Sequence, residues 1–328
     1  MKPHISVVIP VYNESAALPR LFDRLYPALD GLKMAYEIIF VNDGSKDDSA
    51  LVLSDRFRER PDVTRVILLD GNYGQHMAIL AGFQAVRGDI AVTLDADLQN
   101  PPEEIVNLIV KVHEGYDYVG SIRRKRQDSA WRTLASKAMN RLREKITRIR
   151  ITDQGNMLRA YRRNVIDLIN QCREVSTFIP ALAYTFARRP AEIVVEHEER
   201  SAGDSKYSLY SLIRLNFDLV TSFSLVPLHV FSMIGMLLSI GSAVLVILLL
   251  IRRFLFGAEA EGVFTLFAIV FFMMGVALFG IGLLGEYVGR IYQQVRGRPR
   301  YVVETILEDG AQDEARRGIT HLSAGGKG

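Results

Sequence analysis

The sequence predicts an α/β fold with a mostly parallel sheet, followed by interfacial helices and two transmembrane helices. Three observations carry that expectation. Short β-branched runs alternate with longer amphipathic ones from Ile5 to Ser121, two long windows near the C-terminus hold no charged residue, and polar clusters follow the apolar runs. Composition agrees: of 328 residues 49% are hydrophobic and 23% charged, and the formal net charge is only +3. That suits a globular domain with extra apolar sequence rather than a nucleic-acid binder.

Ile5 to Val11 reads as the first strand, because it is short, β-branched and contains Pro10, unlike the longer apolar region of a signal peptide. Tyr36 to Asn42, Thr64 to Leu69, Ile90 to Asp95 and Tyr116 to Ser121 read as further strands with helical patterns between them. This is the βαβ rhythm of a sheet covered on both faces. In such sheets ligands gather at the carboxyl ends of strands, where Tyr12-Asn13-Glu14, Asp43-Gly44-Ser45, Asn72 and Asp95-Ala96-Asp97 all fall. Gly-x-Gly-x-x-Gly is absent after the first strand, so a dinucleotide site loses its main support.

Between Arg123 and Arg150 eleven basic residues stand against Asp128 and Glu144. The part from Trp131 onward has the pattern of an amphipathic helix beside anionic lipid. No charge occurs from Leu219 to Ile251 or from Gly262 to Gly285. The second window spans about 36 Å as a helix at roughly 1.5 Å per residue, enough for a bilayer core of about 30 Å. Pro227 is expected to break the first, leaving a span from Phe231 to Ile251 behind an interfacial segment from Lys206 to Pro227. The short Arg252 to Glu261 connection makes the two a hairpin. Arg290, Arg296, Arg298 and Arg300 place both flanks in the cytoplasm, with Arg252 and Arg253 arguing weakly against.

The expected divisions are a catalytic domain over 1–205, juxtamembrane helices over 206–228, a transmembrane hairpin over 229–286 and a cytoplasmic segment over 287–328. The polar stretch from Glu308 to Gly328 is expected to be disordered. Cys172 is the only cysteine, so no internal disulfide exists and nothing points to an oxidising compartment.

Asp95 and Asp97, one residue apart at a strand end, can approach one hard cation together, and the Gln99 amide oxygen is a further candidate ligand. Oxygen ligands select Mg²⁺ or Mn²⁺; the six histidines show no zinc-like clustering. After the second strand, Gly44 permits a tight turn, Asp43 can accept hydrogen bonds from a base or ribose, and Ser45 can equally cap a helix.

Four segments then stand together: Val7 to Glu14, Asn42 to Ser45, Asn72 to His76, and Thr93 to Pro102. In order and spacing they closely resemble the inverting glycosyltransferases of GT-A fold, whose catalytic domain is Rossmann-like, that act on polyprenyl phosphates. Asn72 to His76, Gly155 to Arg163, Ser176 to Pro180 and Gly282 to Tyr292 look most like the arabinose branch of that family; glucose- and mannose-transferring relatives usually carry Lys where His76 stands. Asp70-Gly71 before Asn72 and Gln154 before Gly155 depart from the pattern without touching the carboxylate motif.

The resemblance implies inverting transfer of 4-deoxy-4-formamido-L-arabinose from UDP to undecaprenyl phosphate, for lipid A modification and polymyxin resistance. It implies a homotetramer in the bacterial inner membrane with a cytoplasmic catalytic domain. It places Pro10, Tyr12, Glu14, Asp43, Asp95 and Ala96 around the nucleotide, with Asp95, Asp97 and Gln99 on the metal. Asp153 matches the family's catalytic carboxylate, although a phosphate acceptor with a second pKa near 6 needs no strong base. Arg200, Ser205 and Lys206 match a phosphate-gripping loop, and Arg123 is a weaker candidate for the same anion. His76 can touch the sugar or its formamido group, or simply pack.

Other readings are weaker. A processive synthase would carry Gln-x-x-Arg-Trp, and Trp131 lies in no such context. A glycoside hydrolase needs carboxylates flanking a sugar, for which Asp95 and Asp97 are too close in sequence. UDP-glucose transfer to the same lipid and a non-catalytic sugar-nucleotide-binding membrane protein remain the alternatives.

Overall fold

The computed structural model describes residues 2–123, 149–153, 155–172, 178–198, 225–256 and 263–309. Its elements run β1 (Ile5–Val11), α1 (Leu18–Asp30), β2 (Tyr36–Asn42), α2 (Ser49–Glu59), β3 (Thr64–Leu69), α3 (Gln75–Ala85), β4 (Ile90–Thr93), a 3-10 turn (Pro102–Glu104) and α4 (Ile105–His113). There follow β5 (Tyr118–Arg123), β6 (Arg159–Arg162), α5 (Arg163–Gln171), α6 (Ile179–Phe186), β7 (Pro190–Val195), α7 (Val226–Phe256), α8 (Val263–Val295) and β8 (Val303–Leu307). The chain divides into two compact units: Met1–Thr133 with Ile149–Lys206 and Arg298–Gly328, and Leu134–Arg148 with Tyr207–Gly297.

The first unit is one eight-stranded sheet in the order β7-β5-β6-β4-β1-β2-β3-β8. β1 lies parallel between β2 and β4, β2 pairs parallel with β3, and β5 pairs parallel with β7. β6 inserts antiparallel between β4 and β5, and β8 closes the far edge antiparallel to β3. Every residue of β1 except Pro10 is buried, which explains why all but Ser6 are apolar: both of its faces are covered. In α1, Leu18, Leu21, Phe22, Leu25 and Leu29 recur at helical spacing and turn inward.

The five anticipated strands are present, β1, β2 and β3 with the anticipated bounds and β4 and β5 with shifted ends. β4 stops at Thr93, so Asp95 and Asp97 lie in the turn beyond it, and β5 begins at Tyr118 and reaches Arg123. Strands β6, β7 and β8 have no counterpart in the sequence analysis. β6 is four residues that begin and end with arginine, β7 at one edge is mostly half-buried, and β8 at the other is mostly exposed, so none carries a strong apolar signal.

At the amino ends of the strands, a buried charge network ties the sheet to its last strand. The Glu37 carboxylate accepts hydrogen bonds from Ser6 Oγ at 2.5 Å, the Arg87 amide at 2.8 Å and Arg65 Nη1 at 3.2 Å. Arg65 and Arg87 both reach Glu308, one residue past β8, at 2.8 and 2.6 Å.

In the second unit, Pro227 occupies the first turn of α7, where its missing N–H goes unused, so the helix starts at Val226, ahead of the expected Phe231, and runs to Phe256. α8 runs beyond its charge-free window, past a Glu286–Arg290 ion pair at 2.7 Å, to Val295. The two helices touch where the Phe231 ring meets Gly280; a methyl group there would lie 2.2 Å from that ring. Phe231 and Phe279 also pack at 5.8 Å between centroids. Among the described residues one helical stretch, Ile269–Val295, is long and apolar enough to cross a membrane, while Val226–Leu238 is a shorter apolar stretch. Leu237, Phe254, Phe272 and Ile281 are exposed in this unit. The interfacial segment over 206–224, the basic stretch 124–148 and the tail 310–328 lie outside the described residues.

Candidate active site

The polar clusters collect at the carboxyl ends of β1, β2 and β4, as the sheet predicts. The turns after β1 and β2 are stitched together. Asn13, at φ 55°, accepts the Lys46 amide at 2.8 Å, and its own amide donates to Ser45 Oγ at 3.0 Å. The Glu14 amide donates to Ser49 Oγ and the Ser15 amide to Asp47 Oδ2, both at 3.0 Å. Asn tolerates that left-handed conformation, and the result is a fixed rim bearing the exposed ring of Tyr12.

Asp43 is buried, and its two oxygens accept the amides of Tyr73 at 2.7 Å and Gly74 at 2.8 Å. Burial pushes this carboxyl up against the opposing pull of the two amides. Asp43 therefore anchors the Asn72–Gly74 turn, with lone pairs remaining for a ligand. Next to it, Gly44 has φ +62°, and a Cβ there would lie 2.4 Å from the Gly71 carbonyl carbon. Gly44→Ala should cost roughly 2 kcal/mol or more, since backbone cannot yield as a side chain can. Thermal unfolding should show a fall of at least about 4 °C; a Tm within 1 °C of the parent would contradict the packing.

Beyond β4, Leu98 takes φ 60°, a costly conformation for leucine, which folds the Gln99 amide back onto Asp97 Oδ1 at 3.1 Å. Gln75 Nε2, at the start of α3, donates to Asp95 Oδ1 at 2.5 Å. Burial, then the neighbouring charge of Asp97, pushes Asp95 up to about 7. Ala96 is buried between the two carboxylates.

A second charged group faces them from β5 and β6. Arg123 grips Asp153 with both arms of its fork, Nε to Oδ2 at 2.7 Å and Nη2 to Oδ1 at 2.8 Å. Burial raises the Asp153 carboxyl, but the Arg123 hydrogen bonds and charge outweigh it and hold the group below its ordinary value. Thr152 is pinned by its amide and hydroxyl to Glu192 of β7. Arg159 is wholly buried; its Nε and Nη2 donate to the carbonyls of Asn156 and Asp153 at 2.7 and 2.5 Å, and its Nη1 to the Tyr118 hydroxyl. Arg200, Ser205 and Lys206 lie outside the described residues.

Residues 6–169 match the model of Glycosyl transferase family 2. The chain is 50% identical over 314 residues to the undecaprenyl-phosphate 4-deoxy-4-formamido-L-arabinose transferase of Shewanella sediminis (strain HAW-EB3), covering 95% of each. The chain belongs to glycosyltransferase family 2. Among solved structures, this transferase resembles glucosyl-3-phosphoglycerate synthase from Mycobacterium tuberculosis with Mn²⁺, UDP-glucose and phosphoglyceric acid, at 20% identity and TM-score 0.48, over 67% of this chain and 78% of that one. It also resembles mannosyl-3-phosphoglycerate synthase from Rubrobacter xylanophilus, at 14% identity and TM-score 0.47, over 67% and 72%.

The transferase's donor set fits a hard divalent cation. Two carboxylates are crowded so that one is driven toward protonation, and a cation between them would relieve both burial and mutual repulsion. Among the described residues no three His, Cys, Asp or Glu side chains gather as a self-sufficient metal cage. The Asp95 and Asp97 carboxylates offer oxygen ligands, the kind that Mg²⁺ and Mn²⁺ take. The sequence analysis missed the transferase's Gln75 and Arg159 as parts of this site. Gln75 stood only beside His76 as a mark of the family branch, and Arg159 only inside a matching segment.

Proposed function

We propose that this transferase moves 4-deoxy-4-formamido-L-arabinose from its UDP donor to undecaprenyl phosphate with inversion, in lipid A modification. The reading is carried by the 50% identity that extends over 95% of both chains to the relative of that name. The acceptor phosphate oxygen forms the new bond to the anomeric carbon as the bond to the UDP oxygen breaks, and the electron pair leaves with UDP.

Pro10, Tyr12, Glu14, Asp43 and Ala96 form the nucleotide side of the site. Asp95, Asp97 and Gln99 would hold Mg²⁺ or Mn²⁺, which when bound supplies charge neutralisation for the departing diphosphate. Asp153 acts as an orienting group rather than a base: Arg123 occupies both of its oxygens, its proton affinity is low, and the acceptor, with a second pKa near 6, arrives largely as a dianion. Arg123, with Nη1 outside the Asp153 pair, joins Arg200, Ser205 and Lys206 in holding the acceptor phosphate.

The architecture proposed is a catalytic domain over 1–205, interfacial helices over 206–228, a two-helix transmembrane hairpin over 229–286 and a cytoplasmic segment over 287–328. The exposed apolar side chains of α7 and α8 suit lipid better than water. A Cβ added at Gly275, Gly282 or Gly285 would meet nothing within 4 Å beyond the helix's own backbone, which leaves room for close packing of helices from other copies in a homotetramer.

The test is to incubate detergent-purified protein with Mn²⁺, undecaprenyl phosphate and a panel of UDP-sugars, following glycolipid by mass spectrometry. Product from UDP-4-deoxy-4-formamido-L-arabinose alone is expected. Product from UDP-glucose instead would move the protein to the hexose branch, and no product from any donor would leave a binding protein.

A further inference from the structure

α3 starts inside the site. The amide of Gly74, its capping residue, donates to Asp43, and the Gln75 side chain donates to Asp95, so the turn carrying His76 is clamped between the nucleotide-side carboxylate and the proposed metal-side one. The His76 ring is steadied by Phe178, edge to face, at 5.2 Å and 77°. Its Nδ1 is out of solvent reach and has no hydrogen-bond partner among the described residues. A buried polar atom without a partner calls for an explanation, and this one sits on the turn held between Asp43 and Asp95, where a polar group of a bound donor can reach it.

We propose that His76 is a donor-specificity residue, its Nδ1 sharing a hydrogen bond with the polar substituent at C4 of the transferred sugar. The inference rests on the reaction proposed above. Burial, and then the charge of Arg159, push His76 down to about 4, so the imidazole is neutral in the cell. A neutral imidazole carries one donor and one acceptor, and so does a formamide, through its N–H and its carbonyl. The two can pair in either tautomer. A sugar without a C4 substituent would leave Nδ1 unpaired, the situation in which a polar site rejects a ligand most strongly.

The experiment compares kcat/KM for two donors, UDP-4-deoxy-4-formamido-L-arabinose and a UDP-4-deoxypentose lacking the substituent. Parent, His76→Phe and His76→Asn proteins are assayed with undecaprenyl phosphate and Mn²⁺. His76→Phe keeps a ring against Phe178 and removes both nitrogens. It should lower the formamido-to-deoxy ratio of kcat/KM by roughly 10- to 100-fold, mainly through KM. His76→Asn, whose amide nitrogen falls near the Nδ1 position, should recover most of the ratio, and it carries the test if the Phe variant folds poorly. A ratio unchanged in both variants overturns the specificity role, while a parent protein inactive on the formamido donor overturns the reaction and this inference with it.

Discussion

Asp97→Asn is expected to lower kcat by roughly a thousandfold or more while leaving the fold intact. Charge and shape separate cleanly at this position. Asp97 Oδ1 accepts the Gln99 amide, and an asparagine oxygen accepts it equally well, so the turn containing the left-handed Leu98 keeps its bond. What disappears is one of the two negative charges proposed to hold the divalent cation, and oxygen-ligated cations depend on that charge for affinity. Losing a single well-placed electrostatic group in an active site commonly costs 10²–10³ in rate, and loss of the cation costs more. Mn²⁺ titration should show weakened binding, and Tm should stay within about 2 °C. Parent-like turnover at saturating Mn²⁺ would remove the metal assignment.

Arg123→Met is expected to act on stability and turnover together. The Arg123 and Asp153 side chains are 22% and 10% exposed, so the pair is largely sheltered. Removing one partner from a buried pair costs about 3–5 kcal/mol; allowing for the partial exposure of Arg123, roughly 2 kcal/mol is expected here. The pH dependence gives the sign. Asp153 lies below the ordinary 3.8, so its stabilisation is present above that pH and is lost as pH falls through the folded value. Without the Arg123 side chain, burial is opposed only by the residue-123 backbone hydrogen bond and the Arg159 charge, so the carboxyl rises. The deficit of the variant should then be largest near neutrality and shrink in acid. Arg123→Met combined with Asp153→Asn should regain stability without regaining transfer. A double variant as unstable as the single one would show that the carboxylate is not the strained partner.

Much of this was readable in advance because the signals were local. β1, β2 and β3 are buried, mostly apolar runs broken only by polar residues such as Ser6, Glu37 and Arg65, and Asp95, Asp97 and Gln99 sit one turn beyond β4, where such folds keep their ligands. The rest depends on contacts distant in sequence. Asp43 looks like an open acceptor until the Tyr73 and Gly74 amides, about 30 residues away, are found on it. Arg159 resembles any strand arginine until burial leaves it among carbonyls and a phenol. Pro227 is expected from the sequence to break the first charge-free window, and the backbone shows it in the first turn of α7. β8 follows two long apolar helices, and nothing in its five residues names β3 as its partner.

That last pairing sets an order of events during synthesis. Val303–Leu307 and Glu308 leave the ribosome only after both apolar helices have been made, and until then β3 presents a bare edge and Arg65 and Arg87 lack their shared carboxylate. The eight-stranded sheet is therefore completed last, by a strand that follows both long helices in the chain. A chain halted upstream keeps the β3 edge open, the kind of unpaired strand edge on which other chains can pair.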